Sequence, residues 1–266
     1  MINVKLLGIN GSPRNGNSLF LLEKAMQAGI AVSPESVETT VYSFKGKTFN
    51  PCIACGYCAK HHGKCVHRDD FEELRELWME SDAIIYSVPV YHMTCPGQVK
   101  CFIDRLGNSM FGLFRSKWPP GKEYDKLPKL YKAIGNIAQG CHIFSGQETT
   151  LNFLIQHSLI MQSIPIQGDL WESYIGVGGW TSTDIERDAL KRLVDKEDED
   201  AQIAVRASRA LGRRVVENAI VTKTGLLACR DLFNGDVLHE PLFNWLEQGS
   251  WGKDMPWYHK DQTVDP

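Results

Sequence analysis

Apolar positions along the chain switch repeatedly between two periods. Val4, Leu6, Leu7 and Ile9 form a short run that reads as a buried strand, and Leu22, Ala25, Met26 and Gly29 recur at helical spacing just behind it. Val37 to Phe44 alternates as a second strand, with Val37, Thr39, Val41 and Ser43 on one side. Phe71, Leu74 and Trp78 make the stripe of a further helix, opened by Asp70 and Glu73 as a capping-box-like pair with Asp in place of Ser or Thr. Ala83 to Val88 is near-continuously apolar, as expected of a strand covered on both faces, and it ends at Pro89. Pro96 and Gly97 open a helix carrying Val99, Phe102, Ile103 and Leu106. Leu130 to Ala138 and Ile164 to Leu170 read as the fourth and fifth strands, with a helix from about Gln147 to His157 between them.

Strand and helix thus alternate five times, which predicts an α/β fold with a parallel sheet and helices on both faces. Ligands of such sheets sit at the carboxyl ends of the strands, so the loops after strands one, three and four should converge. Residues 45–68 are too long and too rich in Gly and Cys for an idle connection, and 107–129 reads as an insertion. Residues 1–183 form the expected ligand-binding domain. Residues 184–266 form a helical and aromatic extension, in which KEDED at 196–200 is a solvated face or a break between helices. Trp245, Trp251 and Trp257 argue that this extension packs on its own sheet or on a second subunit, because disordered segments are usually aromatic-poor.

The 266 residues carry a formal net charge of −3, with no basic stripe for nucleic acid. No apolar stretch reaches the roughly 18 residues of a membrane span, and no secretory pattern opens the chain. The expectation is a cytoplasmic protein with a small-molecule or protein partner. Eight cysteines in such a setting point to metal or redox chemistry before disulfides.

Three stretches carry chemistry. Gly11 to Ser18, GSPRNGNS, joins a strand end to a helix start, where unpaired amides and the helix dipole favour an anion. Ser12, Asn17 and Ser18 add hydroxyl or amide donors and Arg14 a charged fork. The glycine spacing fits neither the dinucleotide fingerprint nor the nucleotide P-loop, so a terminal monophosphate such as that of FMN suits it better. An ordinary capped turn is the alternative. Cys52, Cys55, Cys58 and Cys65 are spaced C-x2-C-x2-C-x6-C, close to the ferredoxin run for a [4Fe–4S] cluster; structural thiols and zinc stay open. His61, His62 and His67 stand nearby as substitute ligands or exposed loop residues, whereas Cys95, Cys101, Cys141 and Cys229 are isolated. Pro89, Val90, Tyr91 and His92 lie where a flavin ring would stack, with a core Tyr91 and a surface His92 as the alternative.

Together with Asp69-Asp70, Ser87 to Tyr91, Gly97 to Lys100, Phe102 to Arg105 and Gly146 to Thr149, these motifs resemble the NADPH-dependent FMN reductase superfamily, and within it the iron–sulfur flavoproteins. The resemblance covers about residues 1 to 170. It implies a flavodoxin-like three-layer α/β/α sandwich with five parallel strands in the order 2-1-3-4-5. It also implies bound FMN, a [4Fe–4S] cluster on the four cysteines, NADPH or NADH as electron donor, and a homodimer or homotetramer. By motif position Ser12, Arg14, Asn15, Asn17 and Ser18 would hold the phosphate. Pro89, Val90, Tyr91 and His92, with Ala138, Gln139 and Gly140, would border the ring, and Tyr91 or His92 could donate a proton. The activity implied is transfer of electrons from a reduced nicotinamide or a ferredoxin-like donor to an acceptor through FMN and the cluster. A non-catalytic electron carrier between proteins, and a reductase or dehydrogenase with a dedicated organic substrate and no cluster, are the competing readings.

Overall fold

A computed structural model describes residues 2–114, 127–236 and 238–248. The sheet order is β2-β1-β3-β4-β5, all pairs parallel, built from β1 (Val4–Asn10), β2 (Val37–Ser43), β3 (Ala83–Pro89), β4 (Ala133–Gln139) and β5 (Ile164–Pro165). It is the flavodoxin-like arrangement. β3 and β4 are buried along their whole length, as central strands of a parallel sheet must be.

Helices cover both faces. On one, α3 (Phe71–Glu80) and α4 (Gly97–Phe114) pack on Leu7, Ile9, Ile84 and Tyr86 of the sheet. On the other, α1 (Asn17–Ile30) and α7 (Glu199–Ala228) share a core with Val4, Leu6, Ile85 and Ile137. Gly212 lets α7 lie against α1, since a Cβ there would fall 1.9 Å from the Ala25 carbonyl oxygen. Between them in sequence come α5 (Gln147–Ile160) and α6 (Ala189–Asp195), and α8 (Glu240–Gln248) buries Leu242 and Trp245 against the first core. No helix among the described residues is long and apolar enough to cross a membrane.

Several elements differ from expectation for local reasons. The fifth strand stops at Pro165; the chain loops away and returns as β6 (Val177–Gly179), which pairs with the second half of β4. Edge strand β2 does not alternate as expected: Glu38 to Val41 are all exposed, and only Tyr42, followed by Phe44 beyond the strand, is buried. Residues 107–114 belong to α4, whose stripe continues through Met110 and Leu113, so the expected insertion begins later; 115–126 lie outside the described residues, as do Trp251 and Trp257. Asp70 does not close a capping box. Its carboxylate accepts from the Thr48 amide at 2.7 Å and pairs with Lys47 at 3.0 Å. KEDED is a break between helices, with Asp198 capping α7 through the Ala201 amide at 3.0 Å.

Candidate functional site

The anion loop runs from Gly11 to Gly16 between β1 and α1. The Ser12 amide donates to Asn10 Oδ1 at 3.3 Å and the Arg14 amide to Ser12 Oγ at 3.3 Å, so the loop is folded on its own side chains. Gly16 occupies the N-cap of α1 without any side-chain cap, which leaves first-turn amides for an acceptor. Ser12 and Ser18 are buried at this junction; Arg14 and Asn15 are exposed. A strap from further along the chain crosses the loop. Arg14 donates to the Ile185 carbonyl at 2.8 Å, and the Asn17 amide donates to Glu186 at 3.0 Å and accepts from the Leu190 amide at 3.0 Å. Arg14 keeps its other donors, whereas the Asn17 carbonyl and one of its N–H groups are committed to the strap.

Two more loops meet this one. The sheet register sets Val88 and Pro89 beside Ala138 and Gln139, and the Val90 amide donates to the Gln139 carbonyl at 2.8 Å. Tyr91 and Thr94 exchange backbone bonds of 2.8 and 3.2 Å across His92 and Met93, whose φ angles are +50° and +71°. Positive φ at both central positions is the tight hairpin turn that normally takes Asn-Gly, so this turn is strained. It presents Tyr91, 45% exposed, at the surface, which removes the core-aromatic alternative; His92 is exposed beside it. Gly140 bonds to the Gly179 carbonyl at 2.9 Å and Gln147 to the His142 carbonyl at 2.6 Å, fixing the loop after β4. Backbone amides, one aromatic ring and hydroxyls thus share the carboxyl edge of the sheet.

The cysteine loop rests on α4. Gly112 makes the seat: a Cβ there would meet the Cys58 carbonyl oxygen at 2.3 Å. Ser109 Oγ donates to the Gly63 carbonyl at 2.5 Å, and α2 (Tyr57–Lys60) packs on the same helix. A cavity of about 260 Å³ is lined by Cys52, Cys55, Cys58 and Cys65. Cys52 and Cys55 are exposed, the other two half-buried, and all four are free thiols. Burial pushes the Cys58 thiol up, and the nearby sulfurs of Cys65 and Cys52 push it the same way. No three His, Cys, Asp or Glu side chains among the described residues converge on one point as a single ion requires.

A family model, NADPH-dependent FMN reductase, matches residues 4–166. The chain belongs to that family. It is therefore an FMN-dependent oxidoreductase of the NAD(P)H-dependent reductase type. An iron-sulfur flavoprotein of Methanocaldococcus jannaschii is 32% identical over 80% of this chain and 96% of its own length. Another, from Archaeoglobus fulgidus, is 30% identical over 83% of this chain and 98% of its own. Among solved structures, a flavodoxin, WrbA-like protein from Agrobacterium tumefaciens superposes with TM-score 0.51 at 14% identity over 82% of this chain and 99% of that one. A flavone reductase does so with TM-score 0.54 at 16% identity, over 82% and 64% of the two chains. These two likenesses concern the fold.

Sequence reasoning missed how the reductase holds its cysteine loop. Arg105 of α4 is buried and grips Asp69 through two bonds, of 2.7 and 2.9 Å, and stacks on the Phe71 ring at 4.2 Å. Asp69 also accepts from the backbone and side-chain nitrogens of Asn50, at 2.8 and 2.9 Å, and Arg105 donates to the Asn50 carbonyl at 3.2 Å. One ion pair therefore ties both ends of the loop. Burial opposes charge on Asp69, but the bonds from Arg105 and Asn50 win and hold its carboxyl well below the usual range. Two signals were present: an arginine three residues after Phe102 near an apolar stripe, and an aspartate just ahead of a helix.

Proposed function

We propose that this FMN-dependent oxidoreductase carries a [4Fe–4S] cluster on Cys52, Cys55, Cys58 and Cys65 and moves electrons between its flavin and that cluster. The single observation that carries the reading is the cavity lined by all four cysteines. The curated relatives' names agree with it. When bound, FMN accepts a hydride's two electrons and releases them singly, and a cluster takes them one at a time.

The chain's own residues supply binding and orientation. Ser12, Ser18 and the uncapped first turn of α1 hold the phosphate, with Arg14 and Asn15 at its open side; Asn17 acts chiefly by fixing the strap. Pro89, Val90 and the strained turn carrying Tyr91 and His92 border one edge of the ring, and Ala138, Gln139 and Gly140 the other. Tyr91 and His92, both exposed on that turn, are the candidate proton donors. The donor is NADPH or NADH, and the acceptor a small molecule or a redox protein. Eight unpaired thiols support a reducing, cytoplasmic setting. A homo-oligomer is proposed on the strength of exposed Tyr91, Met93, Ile143 and Phe144 at the same edge of the sheet.

Anaerobic purification read by flavin, iron and sulfide content tests both cofactors at once. One FMN and about four irons per chain are expected for such a cluster; flavin without iron overturns the cluster. Flavin reduction by NADPH or NADH with catalytic amounts of protein separates an enzyme from a carrier, which would be reduced only by a protein donor.

A further inference from the structure

The cysteine cavity is walled by α4 and lined with polar groups, two of which the protein leaves without a partner. Both terminal nitrogens of Arg105 are taken by Asp69, yet its Nε is buried with no hydrogen-bond partner. Arg105 lines the cavity, and the Cys65 sulfur is close enough to act on its charge. His67 also lines the cavity and has a buried, unpartnered Nε2. One helical turn along from Arg105, Asn108 donates an N–H to Cys52 Sγ at 3.7 Å. Native interiors seldom leave buried donors without acceptors, and such exceptions point to a missing group. Sulfur atoms of a cluster, which are weak but anionic acceptors, would supply what Arg105 Nε lacks and strengthen the bond that Asn108 already makes.

We infer that Arg105 and Asn108 are positioning residues that donate to the sulfurs of the four-cysteine centre and raise its reduction potential. The inference rests on the proposal that the cysteines hold an iron–sulfur cluster. Reduction adds one electron, supplied by reduced FMN, and makes the sulfurs more negative with no proton taken from either side chain. Donors aimed at sulfur stabilise that extra charge, and hydrogen bonds to sulfur are among the levers that set cluster potentials. The arginine's charge is offset by Asp69, so its directional N–H matters more than its net charge. Cys65 is further fixed by its amide, which donates to Glu72 at 2.9 Å, so the sulfur is held where the guanidinium can reach it.

The test is a redox titration of the holoprotein followed by EPR, with iron counted in each variant. Asn108 is exposed and holds nothing but the Asp104 carbonyl besides Cys52, so Asn108→Leu should keep its iron. Its cluster should be harder to reduce by about tenfold in the one-electron equilibrium, or roughly 59 mV downward. Arg105→Lys keeps a cation beside Asp69 but lacks Nε and the two-bond grip on the loop, so its potential is read on the iron-retaining fraction, where it should shift the same way. An unchanged potential in iron-retaining Asn108→Leu and Arg105→Lys overturns the inference and leaves the cluster standing. Loss of iron from Asn108→Leu also overturns it, showing a structural part only. Wild-type protein without iron after anaerobic reconstitution removes the cluster reading and the inference with it.

Discussion

The anion loop and the cysteine loop meet the same functional edge of the protein and are held there in opposite ways. Gly11 to Gly16 is short, continuous with β1 and α1, and bonded to neighbouring backbone on several sides. Residues 45–68 have little regular structure, and their ends are joined by one buried ion pair, Asp69 with Arg105. The first loop is a product of the sheet's topology, so any chain that folds this way forms it. The second depends on particular side chains, so it can be lost while the fold survives.

The largest effect expected from breaking that asymmetry is at the ion pair. Asp69→Ala leaves the Arg105 charge buried and alone, which should cost about 3–5 kcal/mol in urea denaturation. Iron should be lost from the folded fraction while FMN stays bound, as flavin fluorescence and iron assays would report. Gly112→Ala drives a methyl into the Cys58 carbonyl; overpacking of this kind costs about 1–3 kcal/mol and should lower iron content without altering flavin affinity. On the other side, Asn17→Ala removes two bonds between the anion loop and the strap, for about 1–2 kcal/mol. It should weaken FMN binding in a fluorescence titration and leave iron unchanged. Arg14→Ala touches an exposed side chain and should weaken FMN by ~1 kcal/mol or less, an effect that shrinks as salt is added.

Acid offers the mildest version of the same contrast. The Asp69 carboxyl is held below its ordinary value of 3.8, so the unfolded chain binds the proton more readily. The contribution of this group is complete above that value and is lost as pH falls below it. Stability of the wild type should therefore drop more steeply below about pH 4 than that of Asp69→Asn, in denaturation curves taken at successive pH values.

What could be read beforehand was whatever depends on local pattern. β3 was legible because every residue from Ala83 to Val88 is buried, and the four cysteines because their spacing survives in the linear chain. The split of the fifth strand was not, since the run after Ile164 looks the same whether the chain stays in the sheet or leaves it after Pro165. Asp69 and Asp70 stand side by side, and helix-start rules favoured the second. Only the position of Arg105, 36 residues further on, makes the first the residue that matters. The strap over the anion loop was hidden for the same reason, being a contact between Asn17 and Glu186, 169 residues apart.

The long helix α7 has a bearing on how far this flavin-binding unit can be moved between proteins. The family match ends at residue 166, and every residue assigned to FMN or cluster lies before it. Yet Leu211, Val215 and Val216 wall one side of the sheet together with Leu6, Ile85 and Ile137. Residues 1–183, grafted alone onto another chain, would expose that side to water and would need a host helix to cover it. The segment that looks like an appendage in the sequence is thus a condition for portability, and a fusion designed around the cofactor residues alone would carry the chemistry without the means to keep it folded.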